Sequence, residues 1–177
     1  KAKKKETGEI VALKKICINT ANLFEEDIIY ATFLLTTELK SMKICTNHDN
    51  NEYSVKLYDY FKNDDEYIII MELCDDNLIN LLKVKKKFEP EEIRKIMLQL
   101  NNTFRIMGKN KIVHRDIKPE NIFINYKNEE KTEYIVKLGE YYVSDIITNE
   151  YLDLTVGTPG YMAPEIRICD KYNEKCD

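Results

Sequence analysis

Residues 112–124, IVHRDIKPENIFI, decide how this chain is read. Ile112 and Val113 at one end, and Ile122, Phe123 and Ile124 at the other, have the β-branched and aromatic character of short buried strands. Pro119 and the polar run between them forbid a continuous ladder. A turn therefore presents acid, base and amide side chains between two rigid supports. Asp116 is followed by a lysine at 118 and an asparagine at 121. The plain alternative is an ordinary polar loop in which His114, Arg115 and Asp116 satisfy one another.

Working outward, composition bounds the class. A chain of 177 residues, 44% hydrophobic and 33% charged, can bury a substantial core as one domain or two small lobes. The net charge of -4 leaves no basic footprint, so nucleic acid is not an expected partner. Lysine-rich patches at 1–5 and 83–87 read as solvated surface. No apolar run follows the N-terminal lysines, which argues against a signal peptide or membrane segment. Five cysteines without close pairing imply a reducing, cytoplasmic setting, and two histidines argue against a zinc site. There is no internal repeat or low-complexity linker.

Periodicity places elements around the turn. Residues 10–18 read as a strand through Val11, Ala12, Leu13 and Lys14, with Lys15 snorkelling to the surface. Residues 24–44 read as a helix with Ile28, Ala31, Leu35 and Met42 at helical spacing; Glu38 shares their face and needs a cation. A loop at 46–52 leads to strands at 53–61 and 66–73, which form an antiparallel hairpin. Residues 88–108 form the clearest helix. Pro90, Glu91 and Glu92 mark its start and Gly108 its close, with Ile93, Ile96, Met97, Leu100, Phe104 and Met107 on a core stripe. A polar turn over 125–133, a strand at 134–138 and an irregular run over 143–154 lead to TVGTPGYMAPE at 155–165.

His114-Arg115-Asp116, with Lys118 and Asn121 at these spacings, resembles the catalytic loop of the eukaryotic protein kinase family, in its serine/threonine form. The resemblance implies an α+β, protein-kinase-like two-lobe fold. Residues 1–73 would form a small antiparallel β lobe with one helix, and 74–177 a mainly helical second lobe. It also implies truncation at both ends: a glycine-rich loop should precede residue 1 and several helices should follow Asp177. A piece of this kind is expected to expose apolar faces and fold poorly alone. By the same resemblance Asp116 accepts the substrate hydroxyl's proton, Lys118 neutralises the phosphate in flight and Asn121 holds magnesium. Lys14 anchors the nucleotide and pairs with Glu38, with Glu25 and Glu26 as weaker alternatives, while Ala12 leaves room for the adenine. Met71 sits behind the adenine, the backbone of Glu72 and Cys74 lines the hinge, and Phe123 belongs to the nucleotide site. The string ending at Glu165 is an activation segment in which Thr158 touches Asp116 and Lys118. Arg115 is free to bind a phosphate there, with Thr155 as the candidate acceptor, and Asp177 braces the catalytic loop.

One motif departs from the family. Where Asp-Phe-Gly is expected after Val-Lys-Leu-Gly, this chain has Glu140, Tyr141 and Tyr142. Tyr141 keeps the aromatic body and needs a partner for its hydroxyl. Glu140 keeps the charge but moves it by ~1 Å, and magnesium demands near-ideal geometry. A misplacement of that size lowers rate on the order of a hundredfold. Tyr142 stands where glycine's backbone freedom is used, a penalty of ~1 to 2 kcal/mol if a left-handed angle is required. Three functions remain open. The first is a slow ATP-dependent protein serine/threonine kinase using Mg2+ or Mn2+. The second is a pseudokinase that binds nucleotide or scaffolds. The third, ranked far lower, is a small-molecule kinase. Substrate protein and regulator are not legible.

Overall fold

The computed structural model describes residues 1–17, 24–48, 51–63, 66–148, 151–168 and 171–177. The end of the 10–18 strand, the centre of the 46–52 loop, the tip of the 66–73 hairpin and positions 149–150 of the irregular run lie outside these residues.

The first sheet has four antiparallel strands in the order β1-β2-β4-β3: β1 Ala2–Lys3, β2 Ile10–Cys17, β3 Leu57–Asn63 and β4 Glu66–Glu72. Beyond Val11, β2 alternates: Ala12, Lys14 and Ile16 are half-buried, and Leu13, Lys15 and Cys17 face outward. Lys15 reaches the exposed Glu66 at 3.2 Å. Part of the 1–5 patch is the short edge strand β1, and Lys4 pairs with Glu9 at 2.7 Å. Helix α1, Glu25–Asn47, buries Leu34, Leu35, Glu38, Ser41, Met42 and Cys45, residues that recur at helical spacing. It extends past the expected end at 44, so the loop that follows is shorter than the composition of 46–52 predicts.

The second sheet runs β5-β7-β8, with β5 Asp76–Asn77, β7 Ile122–Tyr126 and β8 Tyr134–Leu138. Helix α2, Leu78–Lys85, escaped the sequence reading because it is short. It is capped by the Asn77 side chain, which accepts from the Asn80 N–H. Helix α3, Pro90–Lys109, starts on proline, and Glu92 reaches back to the Glu89 N–H. Its core face is Ile96, Leu100, Thr103, Ile106 and Met107, whereas Ile93 and Met97 are 49% and 54% exposed. Of the expected stripe, Ile96, Leu100 and Met107 are buried and Phe104 packs against the core, so only its Ile93 and Met97 edge faces outward. Thr103 joins the core face, its hydroxyl donating to the Tyr53 carbonyl at 2.8 Å.

Two further strands, β6 Ile112–Val113 and β9 Asp145–Ile146, pair antiparallel, so the run from 143 is not wholly irregular. Residues 53–56 do not extend β3. Instead Ser54 lies parallel beside Leu138, joining the two sheets. One apolar cluster links α1, α3, β6, β7 and β8 through Met42, Leu100, Met107, Ile112, Ile124 and Leu138. Helix α4, Pro164–Arg167, and a 3-10 turn, Glu174–Cys176, complete the described elements. Among the described residues no helix is long and apolar enough to cross a membrane.

Candidate active site

The turn between β6 and β7 is fixed from below. Asp177 accepts both the His114 and the Arg115 backbone N–H, the latter at 2.8 Å. Arg115 holds a left-handed φ of 66°, which those bonds stabilise. A 3-10 turn, Pro119–Asn121, then returns Asn121 so that its amide donates to the Asp116 carbonyl (2.8 Å) and to Asp116 Oδ2 (2.9 Å). Lys118 Nζ lies 2.9 Å from Asp116 Oδ2 and donates to Thr158 Oγ1 at 2.6 Å. The Thr158 hydroxyl donates to Asp116 Oδ1 at 2.6 Å. Burial works against the charge on Asp116, but the bonds from Thr158, Lys118 and Asn121 outweigh it and hold the carboxyl below its ordinary range. Asp116 is thus an ionised acceptor at neutral pH.

His114 is fully buried behind this turn. Its Nε2 faces the Gly139 carbonyl at 2.9 Å, and its Nδ1 faces the Asp116 N–H at 3.3 Å. Those partners require Nε2 to donate and Nδ1 to accept, which is the neutral imidazole. Burial accordingly pushes its pKa down against the pull of Asp177.

Lys14 meets two carboxylates, Glu38 Oε1 at 2.7 Å and Glu140 Oε2 at 3.0 Å, with the Tyr142 ring 5.4 Å away. Burial disfavours its charge, but Glu38 and Glu140 together leave its pKa raised. Glu38 is 1% exposed, and its Oε2 has no hydrogen-bond partner among the described residues. Desolvation raises its pKa despite Lys14. Glu25 and Glu26 stand in the exposed first turn of α1.

The 139–142 turn is tightly packed at its start. A side chain at Gly139 would meet the Phe123 ring at 2.8 Å and Val55 at 2.9 Å. Glu140 adopts φ 57°, and Tyr142 does not lie in the left-handed region. The backbone penalty expected at Tyr142 therefore falls two residues earlier, on Glu140. Tyr141 is fully buried, its hydroxyl 3.0 Å from Ser54 Oγ and its ring 5.0 Å from that of His114.

Ala12 and Met71 face each other across β2 and β4. The Glu72 carboxylate accepts from Asn125 (2.7 Å) and from the Lys56 N–H (3.2 Å), and lies 3.2 Å from Lys137 Nζ. Cys74 follows, its thiol pushed up to about 12 by burial. Phe123 lies on β7 opposite Lys137. Thr155 Oγ1 donates to the Ile166 carbonyl at 3.3 Å, and Glu165 lies in the short helix α4. Arg115 is not free for a phosphate. Its buried guanidinium donates to the Val143 carbonyl at 2.6 Å and to the Tyr172 hydroxyl at 3.2 Å, and lies 3.4 Å from Asp145. β9 brings Asp145 beside it, a pairing that the reading of 143–154 as irregular concealed. Ser54 and Lys137 also escaped the sequence reading. The unpaired tyrosine hydroxyl at 141 was the one signal pointing to Ser54.

The donor set suits magnesium. Asn121 commits its amide nitrogen to Asp116, which leaves the amide oxygen as the atom that would face a metal, and Glu140 carries a half-exposed carboxylate. Two such oxygen ligands match an ion that takes its remaining ligands from water and substrate phosphates.

The family described as protein kinase domain matches residues 1–177. Calcium-dependent protein kinase 5 of Plasmodium berghei is 32% identical over 100% of this chain and 29% of its own length. The carbon catabolite-derepressing protein kinase of Saccharomyces cerevisiae is 30% identical over 90% of the chain and 23% of its length. The serine/threonine-protein kinase Nek2 of Mus musculus is 28% identical over 100% of the chain and 40% of its length. The chain thus spans less than half the length of these relatives.

Proposed function

This chain belongs to the protein kinase family, and from that membership we propose that it transfers the γ-phosphoryl group of ATP to serine or threonine of a protein substrate, at a reduced rate. The observation that carries this reading is Asp116, an ionised carboxylate with Lys118, Asn121 and a threonine hydroxyl all within 2.9 Å. In the step proposed, the substrate hydroxyl oxygen forms the new P–O bond, the bond from the γ-phosphorus to ADP breaks, and Asp116 takes the hydroxyl proton. Lys118 neutralises charge on the transferring group. Lys14, fixed by Glu38, would orient the phosphates, and Asn121 and Glu140 would hold Mg2+ or Mn2+. The metal, when bound, neutralises charge developing on the phosphate oxygens. Ala12, Met71 and Phe123 would flank the adenine, with the Glu72 and Cys74 backbone beside it, and 155–165 would seat the peptide. Residues 1–73 and 74–177 are read as the two lobes, meeting where β4 ends. A cytoplasmic setting agrees with free thiols at Cys17, Cys45, Cys74 and Cys176.

A specific observation favours the second reading, a pseudokinase. The longer Glu140 side chain lies 3.0 Å from Lys14, so lysine and metal ligand occupy each other. Phosphoryl transfer by the intact protein, with magnesium or manganese, separates the two. Parent activity that Asp116→Asn abolishes identifies a working kinase, and Glu140→Asp should then raise the rate, by up to about a hundredfold. A silent parent that Glu140→Asp awakens identifies a binding module.

A further inference from the structure

Tyr141 carries a hydroxyl into complete burial, and its one oxygen partner, Ser54 Oγ at 3.0 Å, is itself fully buried, with the Cys45 thiol of α1 as a weaker second partner. Ser54 is placed independently of the tyrosine. Leu138 donates to the Tyr53 carbonyl and Val55 to the Leu138 carbonyl, both at 2.9 Å, so backbone bonds flank the serine on each side. The Tyr53 carbonyl also accepts from Thr103 on α3. The Asn51 side chain accepts from the Tyr53 N–H at 3.2 Å and donates to the Cys45 carbonyl of α1 at 3.1 Å. A helix on each side and a strand thus fix where the hydroxyl sits.

Tyr141 lies three residues beyond Leu138. Between them Gly139 is held through its carbonyl by His114, and beyond them the Ser144 N–H donates to the Tyr141 carbonyl at 2.9 Å. Glu140 is therefore suspended between two tethered residues, with its backbone in the left-handed region. We propose that Ser54 is a positioning residue of the active site: its hydroxyl anchors Tyr141 in the core and so keeps the Glu140 carboxylate turned toward Lys14. The role of Glu140 as a metal ligand rests on the kinase reading, whereas the anchor does not.

A double-mutant cycle in the intact protein tests the anchor. Ser54→Ala leaves the Tyr141 hydroxyl buried with only the weakly accepting Cys45 sulfur as a partner. Hydrogen exchange at the amides of 139–144 should then accelerate about tenfold, the scale of one lost buried hydrogen bond. In a Tyr141→Phe background, where no hydroxyl needs a partner, the same Ser54→Ala change should alter exchange by less than about twofold. Equal acceleration in both backgrounds would show that the serine merely fills space, and no acceleration in the parent background would show that it anchors nothing. Either result overturns the proposal. The kinetic arm reads position rather than stability. Ser54→Ala should lower kcat about tenfold with the KM for ATP nearly constant, and Tyr141→Phe added to it should recover part of that loss. A lowered melting temperature with kcat unchanged would also refute positioning. Absence of phosphoryl transfer in the parent would refute the kinase reading alone, and the exchange cycle would still decide the anchor.

Discussion

His114 shows how one buried side chain ties folding to the site. Both ring nitrogens are satisfied only in the neutral form, and burial holds its pKa below the ordinary 6.5. A depressed folded-state pKa gives stability that is fully present above the unfolded value and is lost as pH falls through 6.5 toward the folded value. The parent should therefore lose up to ~1.4 kcal/mol per pH unit from this group on acidification. His114→Phe should be less stable at pH 7.5 but show a flatter loss between pH 7 and 5, read from urea midpoints. Asp177, whose carboxyl burial pushes up, titrates together with His114, so the difference between the two proteins reports the pair. At Glu140 the left-handed backbone adds a second expectation. Aspartate tolerates that region better than glutamate, so Glu140→Asp should leave the melting temperature unchanged or slightly raised while shortening the reach to Lys14.

At the scale of elements, α3 separates what periodicity can place from what it cannot. Leu100 is 2% exposed in the shared cluster, so Leu100→Ala should destabilise by ~2 to 5 kcal/mol. Met97, on the same predicted stripe, is half-exposed, and Met97→Ala should change stability by less than about 0.5 kcal/mol. Equal losses in chemical denaturation would place both in the core and contradict the register described. The turn was legible in the spacing of Asp116, Lys118 and Asn121 because local chain geometry alone returns Asn121 to Asp116. The pairing of β6 with β9 was not, because two-residue strands carry no period. The freedom expected of Arg115 failed for the same reason: its partners Val143, Ser144 and Asp145 lie in the segment that looked structureless.

Across the whole molecule, the two main sheets are joined at a few polar knots. Glu72, ending β4, meets Asn125 and Lys137 of the second sheet, and the buried Lys137 also donates to the Glu52 carbonyl at 2.6 Å. Glu72→Ala would strand a buried ammonium, and removing one partner of such a pair typically destabilises by ~3 to 5 kcal/mol. A denaturant midpoint unchanged by Glu72→Ala would show that the knot contributes nothing to joining the sheets. The family, the longer strands and helices, and the identity of the side chains in the Asp116 turn are written in the sequence, because those depend on composition and on neighbours a few residues apart. What lies beside what over long separations came from folding in three dimensions. That folding brought Glu140 onto Lys14, seated the Tyr141 hydroxyl on Ser54, and turned Arg115 inward to Asp145. Such contacts form where distant segments share one desolvated space and each buried polar group must find a partner, a condition set by packing and invisible to local pattern.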